Sequence, residues 1–169
     1  MNITYRDACV SDAATLDRIF DTTFCETFGH LYHKEDLDSF MSAFGVADWE
    51  AELQDPTYAF RVGEADGVPV GYLKLGPQKL PLATAKHAAL LDQLYILKGY
   101  HGIGMAHGLM DWALEEARRR GAEELYLTVY VDNHRARRFY DRYGFEAVGR
   151  YDFMVGNHAD EDVIMRKTL

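Results

Sequence analysis

A chain of 169 residues that is 48% hydrophobic and 13% aromatic carries enough apolar side chain to fill one core, so a single domain over residues 1–169 is expected. Its net charge of −9 excludes a nucleic-acid partner held by a basic face and favours a small cationic one. Without a run of about 18 uncharged apolar residues or a basic-then-apolar leader, the chain reads as cytoplasmic with no membrane partner.

Ile3 to Arg6 alternates as a short strand. Ser11 is then placed to cap a helix over Ser11 to Phe24, whose Ala14, Leu16, Ile19, Phe20 and Phe24 recur at helical spacing. Glu35 to Phe44 and Val46 to Leu53 read as two shorter helices, separated by Gly45 and ended by Asp55-Pro56. Residues 1–50 hold ten acidic side chains against three basic ones, a concentration of negative charge able to attract a cation. The two cysteines, Cys9 and Cys25, make neither a disulfide framework nor a ligand pair and read as reduced, partly buried thiols.

Tyr58 to Gly63 and Val70 to Leu75 are strand-like runs around a Glu64-Ala-Asp66-Gly67 turn. Pro77 to Lys86 has two prolines and few large apolar groups and reads as a loop bordering the functional site. Leu90 to Leu97 is an apolar strand, followed by Tyr100-His101-Gly102-Ile103-Gly104-Met105-Ala106 and then a helix with Ala106, Leu109, Met110, Ala113, Leu114 and Ala117 on one face, stopped by Gly121. A strand that feeds a helix through glycines is built to hold an anion, because backbone N–H groups approach it closely and the helix dipole adds positive potential. Leu125 to Val131, a helix from Asn133 to Tyr143, and strands Val148 to Val155 and Val163 to Lys167 complete an α/β pattern.

His101, Gly104 and Ala106 fall where the GNAT acetyltransferase family has Gln or Arg, then Gly, then Gly or Ala, and Asn133, Ala136, Phe139-Tyr140 and Gly144-Phe145 match the family's second motif. The chain therefore resembles that family. Glu26-Thr27-Phe28 with Tyr32 and Glu35, Val70-Gly71-Tyr72, and Phe153 to Gly156 with Asp162 to Leu169 make it most similar to the bacterial spermidine/spermine (polyamine) acetyltransferase branch. The resemblance implies a mixed central sheet of about six to seven strands with helices on both faces and a splay at the central strands. It implies acetyl transfer from acetyl-CoA to a primary amine, such as spermidine or spermine, by direct attack in a ternary complex. No metal is required, and a homodimer is compatible with it. The same motifs also fit an enzyme for an aminoglycoside, an amino acid or a protein N-terminus, or a non-catalytic acyl-CoA-binding protein.

An alkylammonium of pKa about 10.4 must lose a proton before it attacks, at about 4–5 kcal/mol at pH 7. The family's strand glutamate corresponds to Leu90, which cannot accept one. Asp92 shares its face by alternation and is the leading substitute, unless a bulge turns it; other carboxylates or His134 acting through water are the alternatives. By the resemblance, Tyr140 approaches the sulfur of coenzyme A. The backbone of Leu94, Tyr95 and Ile96 supplies the oxyanion donor. Residues His101, Gly102, Ile103, Gly104, Met105 and Ala106 hold the pyrophosphate, and Asn133 the pantetheine arm. Glu26, Tyr32 and Glu35 are the candidate contacts to the amine, as carboxylates beside an aromatic surface.

Overall fold

The computed structural model describes residues 1–169 as one seven-stranded sheet of order β1-β2-β3-β4-β5-β7-β6. In chain order the elements are β1 (Ile3–Asp7), α1 (Ala13–Phe28), α2 (Lys34–Ser42), α3 (Val46–Gln54), β2 (Ala59–Ala65), β3 (Val68–Pro77), β4 (Ala88–Ile96), α4 (Met105–Arg119), β5 (Glu124–Tyr130), α5 (His134–Arg142), β6 (Glu146–Val155) and β7 (His158–Thr168). Every neighbouring pair is antiparallel except β4 and β5. The mixed sheet with helices on both faces is the GNAT fold that the motifs imply.

The two faces are packed differently. Leu109, Met110, Ala113, Leu114 and Ala117 of α4 and Tyr140 of α5 pack on Leu73, Leu75, Leu91, Leu125, Leu127 and Val129. On the other face Leu16, Ile19, Phe20 and Phe24 of α1 and Trp49 of α3 pack on Phe60, Val62 and Tyr72. Beneath residues 78–87 a smaller cluster of Leu90, Tyr126 and Ile164 is covered by Leu80 and Leu82. Leu90 is thus a core residue of the sheet. No helix is long and apolar enough to cross a membrane.

Several boundaries depart from the expected ones. α1 runs one turn beyond Phe24, because Phe28 packs edge-on against Tyr130 of β5, with ring centroids 6.1 Å apart. Its start is held by Asp12 rather than Ser11. The Asp12 carboxylate accepts the Cys9 N–H at 2.8 Å and both terminal nitrogens of Arg6 at 2.9 Å, tying β1 to the helix. Cys9 and Cys25 are exposed, not partly buried. β7 begins five residues earlier than expected, at His158, with consequences for the site.

Hydrogen bonds from Arg6 hold the Asp12 carboxyl at about 2, so its contribution to stability exists above the ordinary carboxylate value and is lost as pH falls through about 2. Arg6 is more than a third exposed, and solvent screening limits the worth of the pair with its cap to about 1–2 kcal/mol. Asp12→Asn is expected to lower the unfolding free energy obtained from a urea curve at pH 7 by that amount. The difference from the native chain should close as pH approaches 2.

Candidate active site

β4 and β5 pair only through Ala88–Leu90 and Glu124–Tyr126, then diverge. The cause lies in β4: Leu75 is opposite Leu91 and Lys74 opposite Gln93, so Asp92 is an extra, unpaired residue. A bulge of this kind bends its strand and increases twist. Beyond it the alternation changes phase, with Leu94 and Ile96 turned to the α4 core and Tyr95 to the α1 core. The divergence opens a cleft of about 710 Å³, lined from both faces of the sheet. Because Leu97 donates its N–H to Val70 of β3, the ladder's alternation aims the N–H groups of Leu94 and Ile96 into this opening.

At one end of the cleft the chain passes from β4 into α4 through His101, Gly102, Ile103 and Gly104. Gly102 and Gly104 adopt φ of +79° and +88°, the left-handed region, and nothing lies within 4 Å of where either would carry a Cβ. Gly104 caps α4 with no side chain, and the first helical bond runs from Gly108 N–H to its carbonyl at 3.3 Å. The N–H groups of Met105, Ala106 and His107 therefore have no partner within the helix, and they sit at its positive end. His101, Gly102, Gly104, Met105, Ala106 and His107 line the cleft, whereas Ile103 packs on the core.

His101 stands where a donor was expected, and its ring binds two neighbours. Nε2 lies 2.8 Å from the Ile96 carbonyl, which can only accept, so Nε2 carries the hydrogen and Nδ1 accepts from Nη1 of Arg135 at 2.7 Å. The guanidinium of α5 is thereby held at the cleft wall beside the glycine loop. Arg137 instead donates to the Val131 carbonyl at 2.9 Å. Neither Arg137 nor Arg138 lines the opening.

Asn133 caps α5, its Oδ1 accepting the Ala136 N–H at 3.3 Å, and it also lines the cleft. Two turns later Tyr140 stands in the cleft wall at 8% exposure, with its ring between Phe139 and Phe145 at centroid distances of 5.5 and 5.9 Å. Burial pushes its hydroxyl up to about 12.

The far end is acidic and aromatic. Asp92, Asp160 and Asp162 line it together with Phe24, Phe28, Tyr32, Tyr95, Tyr130 and Phe153. Asp160 accepts from the Tyr32 hydroxyl and lies 3.1 Å from His158 Nε2. Asp162 is 7% exposed and is pushed up to about 7 by burial and by the like charge of Asp160, against a hydrogen bond from Thr128 that lowers it. Asp92 does keep the face of Leu90, but two ammonium groups take up its carboxylate: Lys74 at 3.4 Å and Lys79 at 3.1 Å. Lys74 is itself 3% exposed, 2.6 Å from Glu52 and within 5.4 Å of the Phe44, Trp49 and Tyr58 ring centres.

Of the residues expected to meet the amine, Tyr32 lies in this region, whereas Glu26 and Glu35 are exposed on α1 and α2 and do not line it. Residues 78–87 are not part of the lining either; they reach it only through the Lys79–Asp92 pair. The sequence does not mark Asp160 and Asp162 as site residues, because its alternation predicts the last strand only from Val163. Had the strand been extended, the alternation of His158, Asp160, Asp162 and Ile164 would have put both acids on one face. No three His, Cys, Asp or Glu side chains converge to hold a metal ion.

Residues 17–145 match the model of the Acetyltransferase (GNAT) family. An uncharacterised N-acetyltransferase of Mycobacterium tuberculosis is 33% identical over 161 residues, which is 95% of this chain and 99% of the relative. The aminoalkylphosphonate N-acetyltransferase of Salmonella typhimurium is 31% identical over 116 residues, 69% of this chain and 71% of the relative. The crystal structure of the PaiA N-acetyltransferase of Thermoplasma acidophilum in complex with coenzyme A superposes with a TM-score of 0.79 at 21% identity, over 100% of each chain.

Proposed function

Because this chain belongs to the GNAT family and is an N-acetyltransferase, we propose that it moves the acetyl group of acetyl-CoA onto a primary amine of a polyamine-like cation, such as spermidine or spermine. The observation that carries the choice of acceptor is the acidic, aromatic end of the cleft, where Asp160 and Asp162 stand among Tyr32, Tyr95 and Phe28. Paired carboxylates attract an ammonium, and ring faces add cation–π contact. An aminoalkylphosphonate, the acceptor named for the Salmonella relative, would bring its negative charge to the same carboxylates.

The glycine loop fits coenzyme A: Gly102 and Gly104 leave open space beside the free N–H groups, and a guanidinium is held next to them. In this reading the backbone of Gly102 to Ala106 and Arg135 hold the phosphates, and Asn133 and the edge of β4 hold the pantetheine arm. When bound, the group supplies the acetyl thioester. Leu94 or Ile96 N–H then donates to the carbonyl oxygen as it gains charge, and the Tyr140 hydroxyl donates to the departing sulfur. The carboxylates fix the amine on the opposite face of the sheet, so both partners meet in the opening and no covalent enzyme intermediate is needed.

The test is acetyl-CoA-dependent thiol release at pH 7.5 and 9 with spermidine, spermine, putrescine, an aminoglycoside, an aminoalkylphosphonate and a short peptide. Saturable turnover with the polyamines supports the reading; turnover confined to another acceptor rejects the polyamine. Arg135→Ala is expected to raise the Kd for coenzyme A about tenfold and to flatten its dependence on salt, as loss of one charge-assisted phosphate contact requires. Calorimetric titration at two ionic strengths checks this.

A further inference from the structure

Three carboxylates reach the acceptor end of the cleft, and their partners differ. Asp92 is taken up by Lys74 and Lys79, and Asp160 by Tyr32 and His158. Asp162 has the Thr128 hydroxyl and no cation. It sits in the middle of β7, paired with Tyr130 of β5 on one side and Tyr151 of β6 on the other, on the face that looks toward α1. Leu90, in the family's glutamate position, is 2% exposed and packs with Tyr126 and Ile164, so β4 offers no acceptor there. His134 does not line the cleft.

We propose that Asp162 is the catalytic residue that takes the proton from the acceptor's ammonium. The assignment rests on the acetyltransferase reading above and names its proton acceptor. The ammonium gives one proton to the Asp162 carboxylate, and the freed nitrogen lone pair forms the C–N bond. The C–S bond breaks with its electron pair on sulfur, the second nitrogen proton ends on that sulfur, and Asp162 returns its proton to solvent. Tyr140 stands on the sulfur side of the opening and Asp162 on the amine side, so the hydrogen bond to the departing sulfur and the proton transfer from the ammonium are spatially separate.

The groups that face Asp162 set when it works. They are Asp160 of the same strand, with His158 behind it, Thr128 and Tyr130 of β5, Tyr151 of β6, Tyr32 after α1 and Tyr95 of β4. A carboxyl raised from 3.8 to about 7 is roughly 10³-fold more willing to hold a proton, yet still ionised in about half the molecules at neutral pH. That is the range in which a general base is effective.

The experiment is the pH profile of kcat/KM from pH 5.5 to 10 with spermidine, or with whichever amine in the panel turns over, alongside calorimetric titration with coenzyme A. Asp162→Asn is expected to keep the coenzyme A affinity within about twofold and to lose about 10²-fold in rate at pH 7. Its rate should climb about tenfold per pH unit toward the amine's own pKa, while the native enzyme levels off above its acid limb. Thr128→Val, which removes the donor that lowers the carboxyl, should move the native acid limb to higher pH; Asp160→Asn should move it lower. An Asp162→Asn enzyme whose profile has the native shape would overturn the assignment, and so would an acid limb unmoved in both neighbouring variants. A native enzyme that acetylates no amine would instead sink the functional reading on which the assignment depends.

Discussion

Replacing Tyr140 by phenylalanine is expected to cut kcat by 10²- to 10³-fold, roughly the value of one buried donor to a group that gains charge, while the Kd for coenzyme A stays within about threefold. The ring would remain in place between Phe139 and Phe145, so only the hydroxyl is removed. Burial has pushed that hydroxyl up to about 12, against roughly 8.5 for an alkyl thiol, and full proton transfer to sulfur would be uphill by about 5 kcal/mol. Its contribution is therefore a hydrogen bond in a dry site, not a delivered proton. The sign of the pH dependence follows. The hydroxyl stays protonated up to about 12, so Tyr140 adds no falling limb between pH 7 and 10. A variant that keeps more than a tenth of kcat would remove Tyr140 from the sulfur, and a native falling limb in that range that disappears with the hydroxyl would make it a proton donor after all.

Gly104→Val is expected to raise the Kd for coenzyme A at least about 10²-fold while the protein stays folded, at a cost of about 1–3 kcal/mol in unfolding free energy. At φ +88° a β-branched residue is strained. Nothing in the protein lies within 4 Å of the added Cβ, so the branch point itself meets no neighbour. It fills the space where a phosphate must come close to the N–H groups at the start of α4. Gly99→Ala is the matched control, being also free of neighbours within 4 Å but having no positive φ, and it should change neither quantity. Calorimetric titration and a urea curve on each variant separate lost binding from lost folding.

The central β-α-β-α stretch was legible because its signals are local. Apolar runs change from strand to helical period at glycines whose backbone conformation needs them, and the observed Gly121 cap, with Ala122 N–H on the Ala117 carbonyl at 3.0 Å, is a stop that can be read directly. What depends on distant pairing was not legible. β7 carries Asp160, Glu161 and Asp162 in a row and reads as a surface segment, yet β5 on one side and β6 on the other hold it inside the sheet. Lys74 reads as the polar residue of an alternating strand and is instead enclosed by three rings and Glu52, because α3 folds across that face. The expectation that Glu26 and Glu35 serve the amine rested on carboxylates close in sequence to the aromatic Tyr32, and closeness in sequence does not say which helix face meets the sheet. On the coenzyme side the sequence offers Arg135, Arg137 and Arg138 alike as phosphate contacts or as an exposed helix face, and what singles out Arg135 is a ring nitrogen 34 positions away in sequence.

The opening between β4 and β5 passes through the sheet, and this divides the labour of the enzyme for any process that alters it by substitution. In the reading proposed above, the acetyl donor is met by residues from His101 to Tyr140, on the α4 and α5 side, and the amine by residues of α1, the turn after it, β4 and β7. Changes at Tyr32, Asp160 or the aromatic wall can therefore exchange one amine for another without disturbing how the acetyl donor is held. On that reading, acceptor preference can be altered by substitution in one half of the opening while the other half, which holds the donor, is left as it is.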